Sequence, residues 1–484
     1  MPPILLPENF INAPMISLLT KEPWHLSVEN IIDLAKKLND FVETATSESM
    51  LESNILYWIN IGLHYAVKNE SSIAVEPIAK IIYKIAAKDP STLIIMLSKI
   101  NESIYFNGQN SLFVWLDELY TSTFSPKNIT AIISINLALT RLLESPNIKL
   151  TELLIKNNNS GVGQGENCII LLTQAILQSG SIPHNQSETL LITDLLAKFL
   201  LLYPDITVPV LTQEITFGNL KDKTIIYMLA RSLENPAKDN PAVVKIICNI
   251  LNDAIKSKKK ADLLKSLFNV IGSGPYKEAH PFYIILKSLL SAAYINKNEQ
   301  VITDITSFIT NLFEVAPEEM GAAISTTITK EYEGSKNGIA ILVQALMAAL
   351  DHDIKTAAID NLLSILINSN SEIISRAFTQ KFIQYGEINK SPSPLELLVN
   401  RLKVDVNRHN LERIMTLITE LAVSDYAIPM ILSLPLNIRA IFIEEFSKAH
   451  NPTEEMLTLL SETKCEDFDP LAIFSEGTVK AVMK

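Results

Sequence analysis

A helix-start signal recurs in this chain every 56 or 57 residues, and that register limits what the chain can fold into more than any other property it has. Asn54, Asn110, Asn167, Thr224, His280, Asn337 and Ser393 follow one another at intervals of 56, 57, 57, 56, 57 and 56 residues. Apolar side chains trail each of them at offsets 2, 5 and 9, as in Leu112, Trp115 and Leu119 or Ile339, Leu342 and Leu346. Spacings of three and four place such a triplet on one helix face. Six of the seven leading residues are Asn, Thr or Ser, whose short side chains accept a bond from the free N–H groups of a first helical turn. Pro281 and Pro394 follow His280 and Ser393, at the position where proline starts a helix well. A unit repeated in this register buries its apolar face on its neighbours, and such arrays are solenoids.

Each capped helix, A, is followed by a second apolar-periodic segment, B, such as Val75 to Ala87, Val243 to Ile255 or Val301 to Val315. Asp89-Pro90, Ser145-Pro146, Tyr203-Pro204 and Ala316-Pro317 then mark a tight turn, because proline cannot continue a helix with its usual bonds. A shorter helix, C, closes the unit. The expected fold is all-α, a right-handed solenoid of about seven three-helix repeats, over residues 54–435. Residues 1–53 read as an N-terminal helical cap built on Ser27 to Phe41, 436–464 as a C-terminal helical cap, and 465–484 as a flexible tail. Glycines near the ends of the units, Gly108, Gly161, Gly163, Gly165, Gly218, Gly274, Gly334 and Gly386, read as left-handed residues that end helix C.

This unit resembles those of the armadillo and HEAT-like α-solenoids. The resemblance implies that the third helix lines a concave, partner-binding surface. The unit is longer than an armadillo repeat, and its C helices carry no regular Asn ladder, which argues against that family's way of holding an extended peptide. The acidic residues of SETKCEDFDPLAIF, just before a less polar C-terminus, and the abundant Ile, Asn and Lys also resemble Legionella-type secreted effectors. That resemblance implies action inside a host cell on a host protein.

A net charge of −12 works against a surface built for nucleic-acid phosphates, so no nucleic-acid partner is expected. Cys168, Cys248 and Cys465 are odd in number and far apart, which suits reduced thiols in a cytoplasmic compartment. MPPILLPENF lacks a basic leader pattern, and no run approaches the about 18 apolar residues of a membrane span.

No motif points to catalysis, a metal or a cofactor. The segment GVGQG at 161–165 has no Lys-Ser/Thr after it and no strand before it, so it reads as a turn. Asp351-His352-Asp353 lacks further ligands at zinc spacing and reads as a solvated loop, and Gly272-Ser273-Gly274 lacks a nucleophile context. Trp58 and Trp115 fall on adjacent A helices, as stacked core or as interface anchors. The chain is therefore read as a non-enzymatic scaffold binding a partner protein, with its oligomeric state open. The partner strip expected on the C helices comprises Lys99, Gln213, Lys265, Thr327, Lys330, Arg376, Gln380 and Lys381. A basic patch, Lys256, Lys258, Lys259 and Lys260, with Lys265 beyond it, sits at the B-to-C turn of the fourth unit. It offers the alternative of a peripheral membrane adaptor. An enzyme with a noncontiguous site is the other alternative.

Overall fold

The computed structural model describes residues 26–449 apart from 54, 101–105, 107, 145–146, 159–163, 183–184, 216–219, 235–239, 331–333, 356, 370, 383–390, 405–407 and 423–426. The start signal at Asn54, the glycines at 161, 163, 218 and 386, Cys465 and the tail at 465–484 lie outside the described residues. The chain divides into two compact units, residues 1–266 and 267–484.

The first unit opens with α1 (Val28–Thr44) and α2 (Ser47–Glu52). Three-helix repeats follow: α3 (Ile55–Lys68), α4 (Ser72–Lys88) and α5 (Pro90–Leu97); then α6 (Ser111–Ser122), α7 (Ile129–Leu143) and α8 (Ile148–Ile155). The third comprises α9 (Cys168–Gly180), α10 (Gln186–Leu202) and α11 (Pro204–Thr207), the last continuing as a 3-10 turn over Val208–Thr212. The fourth comprises α12 (Ile225–Glu234), α13 (Pro241–Ile255) and α14 (Lys260–Phe268). The A and B helices pack on their counterparts one repeat away: α3 on α6, α6 on α9 and α9 on α12, and likewise α4 on α7, α7 on α10 and α10 on α13. Helix α1 packs on α3 and α4, and α2 on α5, so the N-terminal cap supplies both a B-like and a C-like helix where the sequence signals only the first.

The second unit repeats the plan with α15 (Pro281–Ser291), α16 (Glu299–Val315) and α17 (Pro317–Ser325); a two-stranded link, β1 (Ile328–Lys330) and β2 (Gly334–Lys336); and α18 (Gly338–Asp351), α19 (Ala357–Asn368) and α20 (Glu372–Thr379). Then come α21 (Pro394–Val404), α22 (Arg408–Ala422) and α23 (Ala427–Leu432), and α24 (Leu436–Ala449). Helices α15, α18, α21 and α24 stack in series, as do α16, α19 and α22, and α17, α20 and α23. The protein is an all-α solenoid built of the repeat that the register implies.

The recurring triplets are the core. Every one of their members, from Leu56, Ile59 and Leu63 to Leu395, Leu398 and Leu402, is buried. All six described start residues cap their helices: Asn110 accepts the Phe113 N–H at 2.8 Å, Asn167 that of Ile170 at 3.0 Å and Thr224 that of Tyr227 at 3.2 Å. His280 Nδ1 accepts from Tyr283 at 3.0 Å, Asn337 from Ala340 at 2.8 Å and Ser393 from Glu396 at 3.2 Å.

The caps also reach sideways. Asn167 Nδ2 donates to Gln213 Oε1 at 2.9 Å, and Gln213 Nε2 donates back to Asn157 Oδ1, at the end of the previous repeat, at 3.0 Å. Asn337 Nδ2 donates to the Ala377 carbonyl at 3.0 Å and to Gln380 Oε1 at 3.1 Å, while Gln380 Nε2 donates to Thr327 Oγ1 at 2.6 Å. Ser266 joins Thr224 at 3.1 Å. One side chain thus caps helix A and ties it to helix C.

The links between repeats correct the reading of the glycines. Asn158 N–H donates to the Glu166 carbonyl and Gly165 N–H to the Asn158 carbonyl, each at 2.7 Å. The same closed loop recurs between Ile215 and Lys223, between Ile271 and Ala279, and as the β1–β2 pair Ile328↔Lys336. Gly108, Gly165, Asp222 and Glu278, each two residues before a cap, have φ of 80°, 83°, 63° and 70°. Left-handed residues are present, but they turn a hairpin into the next helix A; they do not end helix C. Each hairpin is too short to show strand alternation, which explains why the sequence reads as almost purely helical.

Asn337→Ala is expected to cost about 2 kcal/mol, since it removes the cap and leaves the buried Ala377 carbonyl without that donor. Asn337→Ser keeps a capping oxygen and is expected to recover about 1 kcal/mol of that loss. Equal losses in chemical unfolding would show that the cap contributes nothing. At Gly338 an added Cβ would sit 2.5 Å from Ile324 Cγ1 and 2.9 Å from the Ile324 carbonyl. Gly338→Ala is therefore expected to destabilise by about 1–3 kcal/mol through overpacking, read as a lower unfolding midpoint.

Candidate functional site

Helix A is apolar on nearly every side, yet one position on it, the seventh after the cap, is polar in every repeat after the first. Counted from the cap, positions −1, +3, +7 and +10 are spaced by four, four and three and share a face. At +7 stand Asp117, Gln174, Arg231, Lys287, Gln344 and Asn400, one in each repeat from the second to the seventh, while the first has the buried Ile61 there. All but Asn400 are half-buried, while the residues beside them in the chain are mostly buried. Some repeats add polar groups on the same face, at −1 in Gln109, Glu166, Lys223 and Lys336 and at +10 in His64, Tyr120 and Glu234, whereas Ala279, Leu177, Leu290 and Met347 are apolar at those positions. Because consecutive A helices pack on one another within each unit, equivalent residues form a ladder along the stack.

In the first unit the ladder runs from acidic to basic. His64 Nδ1 lies 2.7 Å from Glu118 Oε1, bridging α3 and α6. Trp115 Nε1 donates to Asn60 Oδ1 at 2.7 Å, and Asn60 Nδ2 to Ser111 Oγ at 3.0 Å. Burial and the charges of Glu118 and Glu166 push the Asp117 carboxyl up to about 7, with His64 pulling the other way. Burial also raises Glu166, against the bond that Gln174 donates to it at 3.1 Å. The hydrogen bond that the imidazolium donates to Glu118 raises His64, against burial. One repeat on, Lys223 lies 5.6 Å from the centre of the Tyr227 ring, and Arg231 donates to the Tyr227 hydroxyl at 3.3 Å and pairs with Glu234 at 3.3 Å. Burial lowers Lys223, with Asp222 opposing.

In the second unit the ladder is cationic and amide-rich. Lys287 Nζ donates to the Tyr276 hydroxyl at 3.2 Å and sits 5.0 Å from that ring's centre. Lys336 donates to Gln344 Oε1 at 3.1 Å, and Arg401 pairs with Asp351 at 2.5 Å. His280 is explained by its structural place: it caps α15, stacks on Phe282, and burial pushes it down to about 4, with the Ala323 and His280 backbone pulling the other way.

The residues expected on the C helices fall elsewhere, for a simple reason. Helices α5, α8 and α20 span 8 residues and α17 spans 9, so they end before the positions in question. Only Lys265, in α14, and Arg376, in α20, lie within C helices; both are exposed, and Arg376 pairs with Glu372. Lys99 follows α5 and donates to the Leu51 carbonyl. Gln213, Thr327 and Gln380 follow their helices and are held in the joints described above. Lys381 is exposed beyond α20, and Lys330 lies in β1, its side chain outside the described residues. The strip is not one surface of the C helices.

Lys256, Lys258, Lys259 and Lys260 are all exposed at the turn between α13 and α14. Trp58 and Trp115 are both core residues, and Cys168 and Cys248 are buried, the Cys168 thiol pushed up by burial. Asp351 closes α18 against Arg401, and Asp353 takes a left-handed turn. Among the described residues no group of three His, Cys, Asp or Glu side chains could hold a metal ion, and no single helix is long and apolar enough to cross a membrane.

No protein-family profile matches the chain, and no curated protein matches it. Two solved structures are similar over most of their length. A crystal structure of SYS-1 shares 12% identity, covering 90% of this chain and 92% of that one, at a TM-score of 0.24. A homology model of the full-length AP-3 complex in an intermediate open conformation shares 12%, covering 96% and 90%, at 0.18. Scores that low support no inference about fold or function.

The Asp117 environment yields a pH dependence. Its folded value of about 7 lies above the reference 3.8, so the folded chain holds a proton that the unfolded chain has released. Stability from this group is full below about pH 4 and falls as pH rises through about 7. Asp117→Asn is expected to stabilise the protein at about pH 8 and to leave it unchanged at about pH 4. A gain of equal size at both would show that burial does not control this carboxyl.

Proposed function

We propose that the protein is a non-enzymatic interaction scaffold that holds a partner polypeptide along the A-helix face. The observation that carries this reading is the register of the +7 ladder, Asp117, Gln174 and Arg231 in one unit and Lys287, Gln344 and Asn400 in the other. A partner lying along α6, α9 and α12, or along α15 and α18, meets a half-buried polar group once per repeat. Most of those groups are already held by neighbours, Gln174 by Glu166, Arg231 by Tyr227 and Glu234, Lys287 by Tyr276. Side chains ordered beforehand lose less rotamer freedom on binding. On the first unit the fitting segment carries basic groups opposite Asp117 and Glu166 and acidic groups opposite Lys223 and Arg231.

The most perturbed groups have structural explanations, which favours a scaffold over an enzyme. His280 is a helix cap, and His64 is paired with Glu118 across α3 and α6. The composition of the C-terminal segment, by its resemblance to secreted effectors, makes the partner a host protein and the host cytoplasm the place of action.

The reading is tested by selecting peptides from a random display library on the intact protein and measuring their affinity for variants. Gln174→Ala with Arg231→Ala, or Lys287→Ala with Gln344→Ala, is expected to weaken peptides selected on that unit by about tenfold or more, with folding retained. Charge reversal at Lys265, Arg376 and Lys381 is expected to change little. If that reversal removes binding and the A-face variants do not, the partner face lies with the C helices and the proposal fails.

A further inference from the structure

The corners where B helices turn into C helices form an edge of the first unit that the scaffold reading does not use. Helices α7, α10 and α13 stack in series, and Asn136 of α7 donates to the Leu191 carbonyl of α10 at 2.7 Å, while Asn240, capping α13, donates to the Gln186 carbonyl at 2.8 Å. Those bonds join positions about one period apart, so the three helices run in the same direction and their C-terminal ends share an edge.

Two kinds of side chain meet there. Ile148, opening α8, is 50% exposed, and Leu201, at the end of α10, is 59% exposed. The latter stands where the chain bends by 105° between α10 and the following helical turns. At the next corner Lys256, Lys258, Lys259 and Lys260 are exposed, with Lys265 one to two turns into α14, and Lys149 is exposed beside Ile148. Glu144, Glu152, Asp205, Asp253 and Asp262 are the exposed acids along the edge, so its cationic excess is concentrated at the corner that holds Lys256, Lys258, Lys259 and Lys260. In a protein of net charge −12, this concentrates opposite potential at one place.

We propose that this edge docks on an anionic bilayer surface, with the lysines in the headgroup layer and Ile148 and Leu201 entering its apolar boundary. Lysine is a hydrated point charge on a flexible stem, suited to a diffuse layer of headgroups; shaped bidentate recognition of one phosphate favours arginine. Exposed aliphatics beside the cations are what distinguish a lipid surface from an acidic polypeptide, because they gain by leaving water only where an apolar layer receives them. Docking through an edge leaves the A-helix ladder open, so membrane attachment and partner binding are compatible.

The test is flotation of the full chain with vesicles of phosphatidylcholine alone or with about a third phosphatidylserine, at low and physiological salt. Binding is expected only to the anionic vesicles and is expected to weaken with salt. Replacing Lys258, Lys259 and Lys260 together by Gln is expected to lower partitioning on the order of 100-fold. Leu201→Ser with Ile148→Ser is expected to lower it at unchanged charge. Replacing Lys36, Lys80 and Lys127, three exposed lysines elsewhere on the same unit, by Gln removes the same charge and is expected to have little effect. No binding to anionic vesicles, equal losses in the two lysine triples, or no loss in the Ser pair would each overturn the proposal. Lysine-dependent binding of polyglutamate without vesicle binding would assign the edge to an acidic protein and overturn it too.

Discussion

The fold depends on cap side chains that make two kinds of bond. A helix cap by itself satisfies local donors and says nothing about where the helix lies. Asn167 and Asn337 do more, because their oxygens accept from their own helix A while their amide groups donate toward the end of helix C. Gln213 and Gln380 then pass the connection back to Asn157 and Thr327, at the end of the preceding repeat. Hydrophobic burial, to which the triplets contribute, supplies most of the stabilising free energy, but apolar contact tolerates sliding. The buried bonds are directional, and a slipped helix would leave their groups unpaired.

Much of this was legible in the sequence because caps and apolar triplets are local signals. Asn110, Thr224 and Ser393 announce their helices through the few residues that follow them, and Pro90, Pro204 and Pro317 announce the breaks between B and C. The hairpin links were not legible. Their bonds join Ile215 to Lys223 or Ile271 to Ala279, each a single pair without alternation, and two of their left-handed residues are Asp222 and Glu278, which carry no glycine signature. Reading Gly108 and Gly165 as ends of helix C placed the right conformation on the wrong side of the link.

The candidate face shows a different kind of gap. Asp117, Gln174, Arg231, Lys287 and Gln344 sit in the very alignment that revealed the caps, as polar interruptions of apolar helices at a constant offset. Attention to the apolar positions passed over them. The C-helix strip was instead drawn from exposed polar residues near the ends of the units, and in Gln213, Thr327 and Gln380 it gathered the joints between repeats. A polar side chain near a surface serves structure or recognition according to where its bonds go, and a bond to a residue more than fifty positions away cannot be seen in one sequence.

The closed hairpin before each cap has a consequence for how such a chain can change length. The described hairpins end on the residue that precedes the next cap, as Glu166 precedes Asn167 and Lys223 precedes Thr224. The phase of the whole repeat is thereby reset at each junction, and errors in spacing do not accumulate along the stack. Residues added at the tip of a hairpin stay outside the bonded frame, whereas residues added between a cap and its helix C pull the amide of the cap away from its partner. Drift in length among descendants of this chain is therefore channelled into hairpin tips or into whole periods, much as a brick wall accepts a new course more easily than a taller brick.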